Sequence, residues 1–548
     1  MKNTHIIILF FMISIGISSC ITSKKEVDLI LYNAKVYTVD SAFSIQECVV
    51  IDSGYILETG QQDVLLKKYN TKKSIDLKGK YVYPGFIDAH CHFFGYAIDQ
   101  LEADVADTKS FDEVIETLQN FSKNNKNKWI VGRGWDQNDW EVKEFPNKRK
   151  LDSVFKDIPV FLTRVDGHAA LVNSKALEIA GITKDTKIEG GKIYLHNNEP
   201  SGILIDNAIE LVSKHIPKTS VEDSKIALIT AAEKCFAVGL TSVGDAGLDK
   251  EMVLLIDSLH KKGELKMKIY AMLNPTTENL ETFMNKGIYK TPYLNIRSVK
   301  LFADGALGSR GACLIEPYSD DTDNYGIIIN KESYYHEICE QAYKKGYQVN
   351  THVIGDSAMR MMLNIYSTYL KSLNDLRWRI EHAQVVSPVD LSKFATYSII
   401  PAVNTVHATS DMYWAEKRLG PNRIKYAYAY KDLLTQNGWL CNGSDFPVEK
   451  INPLLGFYAA VSRKDLQQFP ENGFQKENAL TRTEALKAMT IWAAKSFFEE
   501  NEKGSIEKGK YADIVVADQD LMSVEEHKIP NTKITMTFIN GQLVYSVK

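Results

Sequence analysis

The sequence predicts an α/β protein organised around a (β/α)8 TIM barrel, and three observations carry that expectation. Short apolar segments recur, each ending in a side chain able to bind a metal. They are Phe86-Ile87-Asp88-Ala89 before His90-Cys91-His92, Gln348-Val349-Asn350-Thr351 before His352, Trp378-Arg379-Ile380-Glu381 before His382, and Leu440-Cys441-Asn442-Gly443-Ser444 before Asp445. Helical patterns such as residues 333–345 and 357–371 separate them, and strands alternating with helices build parallel βαβ units. The chain has 548 residues and 44% hydrophobic content, enough for one large barrel core and a smaller companion domain. The C-terminal ends of barrel strands converge on one face, so these separate strand ends are expected to form one cluster.

The first element stands outside that fold. Met1-Lys2-Asn3-Thr4, the apolar residues 6–17 and Ser18-Ser19 read as a secretory signal, too short for a membrane-spanning helix. Ile17-Ser18-Ser19-Cys20 looks like a bacterial lipobox, which makes residues 1–19 the signal peptide and Cys20 the lipidated start of residues 20–26, a tether; the alternatives are an ordinary signal peptide or an uncleaved anchor. The expected location is that of an exported lipoprotein anchored to a membrane and facing the periplasm or cell exterior. Residues 27–82 then read as short strands with turns at Asn33-Ala34 and Asp52-Ser53-Gly54, and residues 504–548 repeat that texture around the hairpin signal Asn540-Gly541. Neither end holds enough strands for a stable sheet alone. Both are expected to pair into a small β-sandwich beside a barrel domain of residues 83–503.

Composition narrows the chemistry. A net charge of −4 gives no basic field for nucleic acid and favours a small-molecule partner. The seven cysteines lack the paired spacings of a zinc ribbon or disulfide framework. Cys48, Cys235, Cys313, Cys339 and Cys441 read as packing residues, and Cys91 as a buried residue on the opposite strand face from its histidine neighbours. His90 and His92, two apart on a strand end, can reach one ion. Lys300 stands inside the apolar run Val299-Lys300-Leu301-Phe302, either at the metal cluster or ion-paired with Asp304 or Asp445.

The motifs Gly85-Phe86-Ile87-Asp88-Ala89-His90-Cys91-His92, Arg164-Val165-Asp166-Gly167-His168-Ala169-Ala170, Asp304-Gly305-Ala306-Leu307-Gly308-Ser309-Arg310, Glu381-His382-Ala383-Gln384 and Gly443-Ser444-Asp445-Phe446-Pro447-Val448 occur in order. With Lys300 and His352 they give a chain that, from about Val27 onward, resembles the amidohydrolase superfamily, in its YtcJ-like and N-substituted formamide deformylase branch (amidohydrolase family 3). Asn404-Thr405-Val406-His407 departs from that branch's usual Gln-Pro-Thr-His. The resemblance implies two divalent ions, zinc or else iron or manganese, held by His90, His92, Lys300, His352, His382 and Asp445, with Lys300 N6-carboxylated as the bridge. It implies hydrolysis of an amide, N-formyl or cyclic amide C–N bond by a metal-bound hydroxide, Asp445 acting as the acid–base group.

The same topology leaves room for two barrel strands between His92 and Lys300, where the sequence offers four. Leu240-Thr241-Ser242-Val243-Gly244-Asp245 and Lys268-Ile269-Tyr270-Ala271-Met272-Leu273 are assigned to the barrel, and residues 96–214 to an inserted lid over the active face. From that lid His168 is expected to hydrogen-bond the substrate carbonyl, or else to be a satisfied structural histidine. His407, Trp135 and Arg310 are expected to contact substrate, with Asp136 and Trp140 near them; a packing role for the tryptophans is the alternative. Glu381 and Asp356 are expected to orient metal-bound histidines. Competing functions are deamination or ester cleavage at the same site, and a catalytically inactive binding lipoprotein. Val353-Ile354-Gly355 after His352 supplies no close glutamate for the deaminase option. The partners expected are a small amide or formamide, a membrane reached only through lipid, and a second copy in a homodimer.

Overall fold

The computed structural model describes residues 24–123 and 128–547. The signal and lipobox expectations fall outside the described residues; among those, no helix is long and apolar enough to cross a membrane.

Eight parallel strands form a nearly closed, TIM-barrel-like sheet: β1 (Phe86–Cys91), β2 (Leu240–Leu248), β3 (Lys268–Leu273), β4 (Leu294–Phe302), β5 (Gln348–Val353), β6 (Arg379–His382), β7 (Ile400–Val403) and β8 (Cys441–Asn442). Each pairs with the next in sequence, the order that right-handed βαβ connections produce. β1, β3 and β5 are buried along their whole length, as strands covered on both faces must be. Helices Glu332–Lys345 and Asp356–Leu370 cover the outside next to β5. Ala493, Ala494 and Phe497 pack with Ile87, Tyr270 and Ile400 in one buried cluster, the Phe497 ring stacked 4.4 Å from Tyr270.

β8 is far shorter than its sequence suggests, for a local reason. A Cβ on Gly443 would sit 2.4 Å from the His90 nitrogen, so the chain can pass β1 there only as glycine. Beyond it the gap between β8 and β1 is closed by single bonds: Asp445 N–H donates to His90 O at 2.8 Å and His92 N–H to Phe446 O at 2.8 Å. Asp88 reinforces this seam, accepting from the Ser444 hydroxyl at 2.6 Å and from the His90 backbone N–H at 3.2 Å.

Both chain ends meet in a second sheet. Its order is Gln542–Ser546, Ile534–Ile539, Ile514–Ala517, Ser74–Pro84, Leu29–Tyr37, Cys48–Asp52 and Tyr55–Gly60, with Ile45–Gln46 beside Leu29–Tyr37. Both ends pair with each other, as expected, and their hydrogen bonding runs through one continuous sheet, because Ser74–Pro84 pairs on both its edges. Left-handed backbone at Asn33, Lys78 and Gly79 bends the central strands, and Leu31, Val36, Val49, Leu77, Val82 and Val516 share one core. Within residues 96–214 lies a third sheet of six strands, Ala103–Asp104 to Glu199–Asp206, with its own cores.

Candidate metal centre

The strand ends bring the expected side chains together. His90 is in β1 and His92 just past it, Lys300 lies near the end of β4, His352 in β5, His382 closes β6, and Asp445 follows β8. All are buried except His92, which is partly exposed. Asp445 Oδ1 stands 3.4 Å from His90 Nε2 and 3.3 Å from His92 Nε2, and one ligand atom of each of the three lies within 4.8 Å of the others. Asp445 and His382 have left-handed backbones (φ 64° and 70°), a strained conformation of the kind that concentrates at functional sites.

The hydrogen-bond partners fix which nitrogens face the centre. His90 Nδ1 bonds to the Glu381 carboxylate, His92 Nδ1 to Ala246 O at 3.1 Å, and His382 Nδ1 to Asn404 Oδ1 at 2.8 Å. A carboxylate, a carbonyl and an amide oxygen can only accept, so in neutral rings each Nδ1 carries the proton and each Nε2 keeps its lone pair. Asn404 is itself oriented, its amide N–H donating to Gly443 O at 3.1 Å. Asp445 Oδ1 and His352 Nε2 are buried without a hydrogen-bond partner among the described residues. Inward lone pairs around orphaned donor atoms are the donor set a divalent ion requires, with orienting partners behind the histidines.

Electrostatics agree. Burial, with Lys300 beside it, lowers the His90 imidazole to about 4, and burial holds His352 and His382 well below the usual histidine range. All three rings are neutral near pH 7. Burial opposes ionisation of Glu381 and Asp445, yet both are held well below the usual carboxylate range, Glu381 by Arg379 and His90, Asp445 by the surrounding histidines. Arg379 forks onto Glu381 with bonds of 2.7 and 2.6 Å. Burial lowers Lys300 to about 8, and its Nζ lies 3.1 Å from His90 Nε2. No ion pair joins Lys300 to Asp304 or Asp445 among the described residues; Asp304 instead accepts the backbone N–H groups of Cys313, Ile354 and Gly355.

His168 reaches over the centre from the third sheet, its ring centroid 4.6 Å from that of His352 and its Nδ1 2.7 Å from Asp206 Oδ1. His407 stacks 6.1 Å from His382 with Nε2 unpartnered. Both line a cavity of about 340 Å³ with His92, His352, His382 and Asp445. Other expectations land elsewhere. Trp135 is buried in the core of the inserted sheet beside Trp140, its indole N–H donating to Leu162 O at 2.9 Å, because its apolar bulk fills that small core. Arg310 turns to Asp320 at 2.9 Å, so neither it nor Trp135 belongs to the cavity wall. Asp136 does line the cavity but is bound by Arg164. Glu381 does orient a histidine of the centre, His90, as expected, whereas Asp356 accepts from Ile315 N–H at 2.9 Å, holding a loop instead of a histidine.

Sequence reasoning missed Arg379, Asn404 and Asp206. Arg379 had a signal, a second charge two residues before Glu381 in an otherwise apolar strand. Asn404 sat in the segment marked as departing from the branch pattern. Asp206 had none, because its contact with His168 exists only once two strands of the insertion pair.

Comparison with known proteins gives these contacts a context. The amidohydrolase family profile matches residues 73–545. The amidohydrolase-type protein YtcJ of Bacillus subtilis is 31% identical over 93% of this chain and 98% of its own. N-substituted formamide deformylase of Arthrobacter pascens is 26% identical over 94% and 98%. The crystal structure of an uncharacterised metal-dependent hydrolase from Pyrococcus horikoshii superposes with a TM-score of 0.75 at 29% identity, covering 91% of this chain and 99% of that one.

Proposed function

The chain belongs to the amidohydrolase family of metal-dependent hydrolases, and from that premise we propose that it cleaves an amide, N-formyl or cyclic amide C–N bond of a small molecule at a two-metal centre. One observation carries the proposal: His90 and His92, each pinned through Nδ1, turn their Nε2 lone pairs to within 3.4 and 3.3 Å of the orphaned Asp445 Oδ1, with His382 pinned through Nδ1 beside them. His90, His92 and Asp445 would hold one ion and His352 and His382 the other. Lys300, its amine lowered by burial to about 8, would carry a carbamate that adds anionic oxygen ligands for the ions. Zinc suits this donor set, as do iron and manganese. When bound, the ions supply an acidified water and polarise a carbonyl.

The chain's own residues do the rest. Asp445, buried yet ionised, accepts a proton from the attacking water and returns it to the leaving nitrogen. His168 meets the carbonyl oxygen. Its Nδ1 is committed to Asp206, so it donates through Nε2 only as imidazolium; burial opposes that form, but Asp206 and Asp166 raise the ring above its ordinary value. Residues 96–214 act as the lid of a barrel domain spanning 83–503, and His407 contacts substrate. An N-formyl substrate is favoured by the likeness to the Arthrobacter deformylase.

Metal analysis of protein purified without chelator, followed by a screen of N-formyl and N-acyl amines, tests the reading. Two ions per chain with release of formate or another acid are expected. A metal-free chain, or a loaded one inert to every such amine, would remove it. We further propose a lipoprotein anchored through Cys20; Cys20→Ser should free the protein from the membrane fraction, and a wild type found soluble with Met1 retained would contradict this. No nucleic-acid partner and a homodimeric state complete the proposal; sedimentation at a monomer's mass would discard the dimer.

A further inference from the structure

Lys300 is not in the wall of the cavity that His92, His352, His382 and Asp445 line; it lines a second cavity, of about 350 Å³. That space lies between helix Asn207–Ser213 of the insertion and barrel residues beyond the ends of β3 and β4, among them Asn274 and Tyr334. His168 and Phe302 line both cavities, with ring centroids 6.3 Å apart, and so form the partition between them. Lys300 Nζ stands 4.8 Å from the Phe302 ring centroid and 3.1 Å from His90 Nε2.

We propose that this second cavity is the route by which carbon dioxide reaches Lys300, separate from the route taken by substrate. The proposal rests on the carbamate reading above. The wall selects for the reagent. Leu301, Ile209, Ile329 and Pro275 supply its apolar side, Asp206 is answered by His168, and the remaining carboxyl group, Glu210, disfavours an anion such as bicarbonate. A small uncharged molecule is what such a passage admits. The Nζ lone pair of the neutral amine attacks the carbon, an N–C bond forms, one C=O electron pair moves onto oxygen, and one proton leaves nitrogen for water. Amine plus carbon dioxide gives carbamate plus a proton, with no change in oxidation state. A separate route lets the bridge be restored while the substrate cavity is occupied.

The test uses the full-length protein, stripped of metal in carbon-dioxide-free buffer and returned to zinc with ¹³C-bicarbonate. Carbamate build-up is followed by ¹³C NMR and metal uptake by analysis, with Lys300→Ala as the blank. Ser213→Trp and Ile209→Trp each place an indole in the second cavity, from opposite ends of one turn of helix, so that misfolding of one leaves the other to decide. Val448→Trp fills the substrate cavity instead. Loading about tenfold slower in Ser213→Trp and Ile209→Trp, with wild-type final occupancy and with Val448→Trp loading at the wild-type rate, is expected. Wild-type rates in both plugged variants, or slowing confined to Val448→Trp, would overturn the route while leaving the carbamate intact. No carbamate signal in the wild type would overturn the carbamate reading and the route with it.

Discussion

Two buried lysines stand near opposite ends of the barrel, and they differ in what answers their charge. Lys268 opens β3. Its Nζ lies 2.6 Å from Asp513 and 2.7 Å from Asn540, both from the C-terminal part of the chain, and over the Tyr511 ring at 3.9 Å. Lys300, near the end of β4, has only the imidazole of His90 within hydrogen-bond reach among its described contacts. Burial lowers both amines; at Lys268 the hydrogen-bonded Asp513 works against it, whereas at Lys300 Glu381 and Asp445 oppose it only through their charge, without a hydrogen bond to the amine. A buried cation with its counter-ion in place fastens two parts of a fold together. One without is expensive to keep charged and so is available as a neutral amine for chemistry.

Removing each lysine should therefore produce different failures. Lys300→Ala should abolish turnover and lower metal content while leaving the melting transition near that of the wild type, with partial rescue by a short carboxylic acid. Full activity in that variant would end the contrast. Lys268→Met strands Asp513 in the interior and should cost roughly 3–5 kcal/mol in denaturant titrations, with metals and turnover retained by the folded fraction. Unchanged stability would mean the pair fastens nothing.

His168→Ala sharpens the functional half of the comparison. It should keep both metals and the fold but lower kcat by about 10²- to 10³-fold, the usual loss for one donor to a developing oxyanion. Normal turnover would take His168 out of the mechanism. The smallest effect is the pH dependence of carbamate formation. A protonated amine has no lone pair, so with Lys300 lowered to about 8 and dissolved carbon dioxide held constant, the initial rate of carbamate formation in the metal-free protein should climb about tenfold per pH unit up to about pH 8 and flatten above. A climb that continues toward the ordinary lysine value of 10.5 would place Lys300 with unburied lysines.

The sequence made the strand-end positions legible because a strand that terminates in a metal-capable side chain writes that side chain next to an apolar run. His90, His92, His352, His382 and Asp445 were readable this way, and Lys300 by its polarity within one. Helices Glu332–Lys345 and Asp356–Leu370 were readable from their periodicity to within a residue. What depends on partners distant in sequence was not. Glu381 stands next to His382 in the chain but its carboxylate crosses the barrel to His90, since adjacent strand residues point apart. Trp135 reads equally as pocket or core residue until the inserted sheet is seen to need its bulk. The single curled sheet was hidden for the same reason: strand texture reveals that residues pair, not that Ser74–Pro84 pairs twice.

That doubly paired strand also bears on timing. Tyr83 takes Val515 as its register partner, and Val82 takes Val516, across most of the length of the chain. While the polypeptide is being made, Ser74–Pro84 can find Leu29–Tyr37 at once, but its other edge stays open until the last strands arrive. Contacts so far apart in sequence are slow to form. The final act of folding is thus the clasping of tail to head, and a chain cut short before Ile514 would carry an exposed, aggregation-prone edge directly beside the strand that leads into His90.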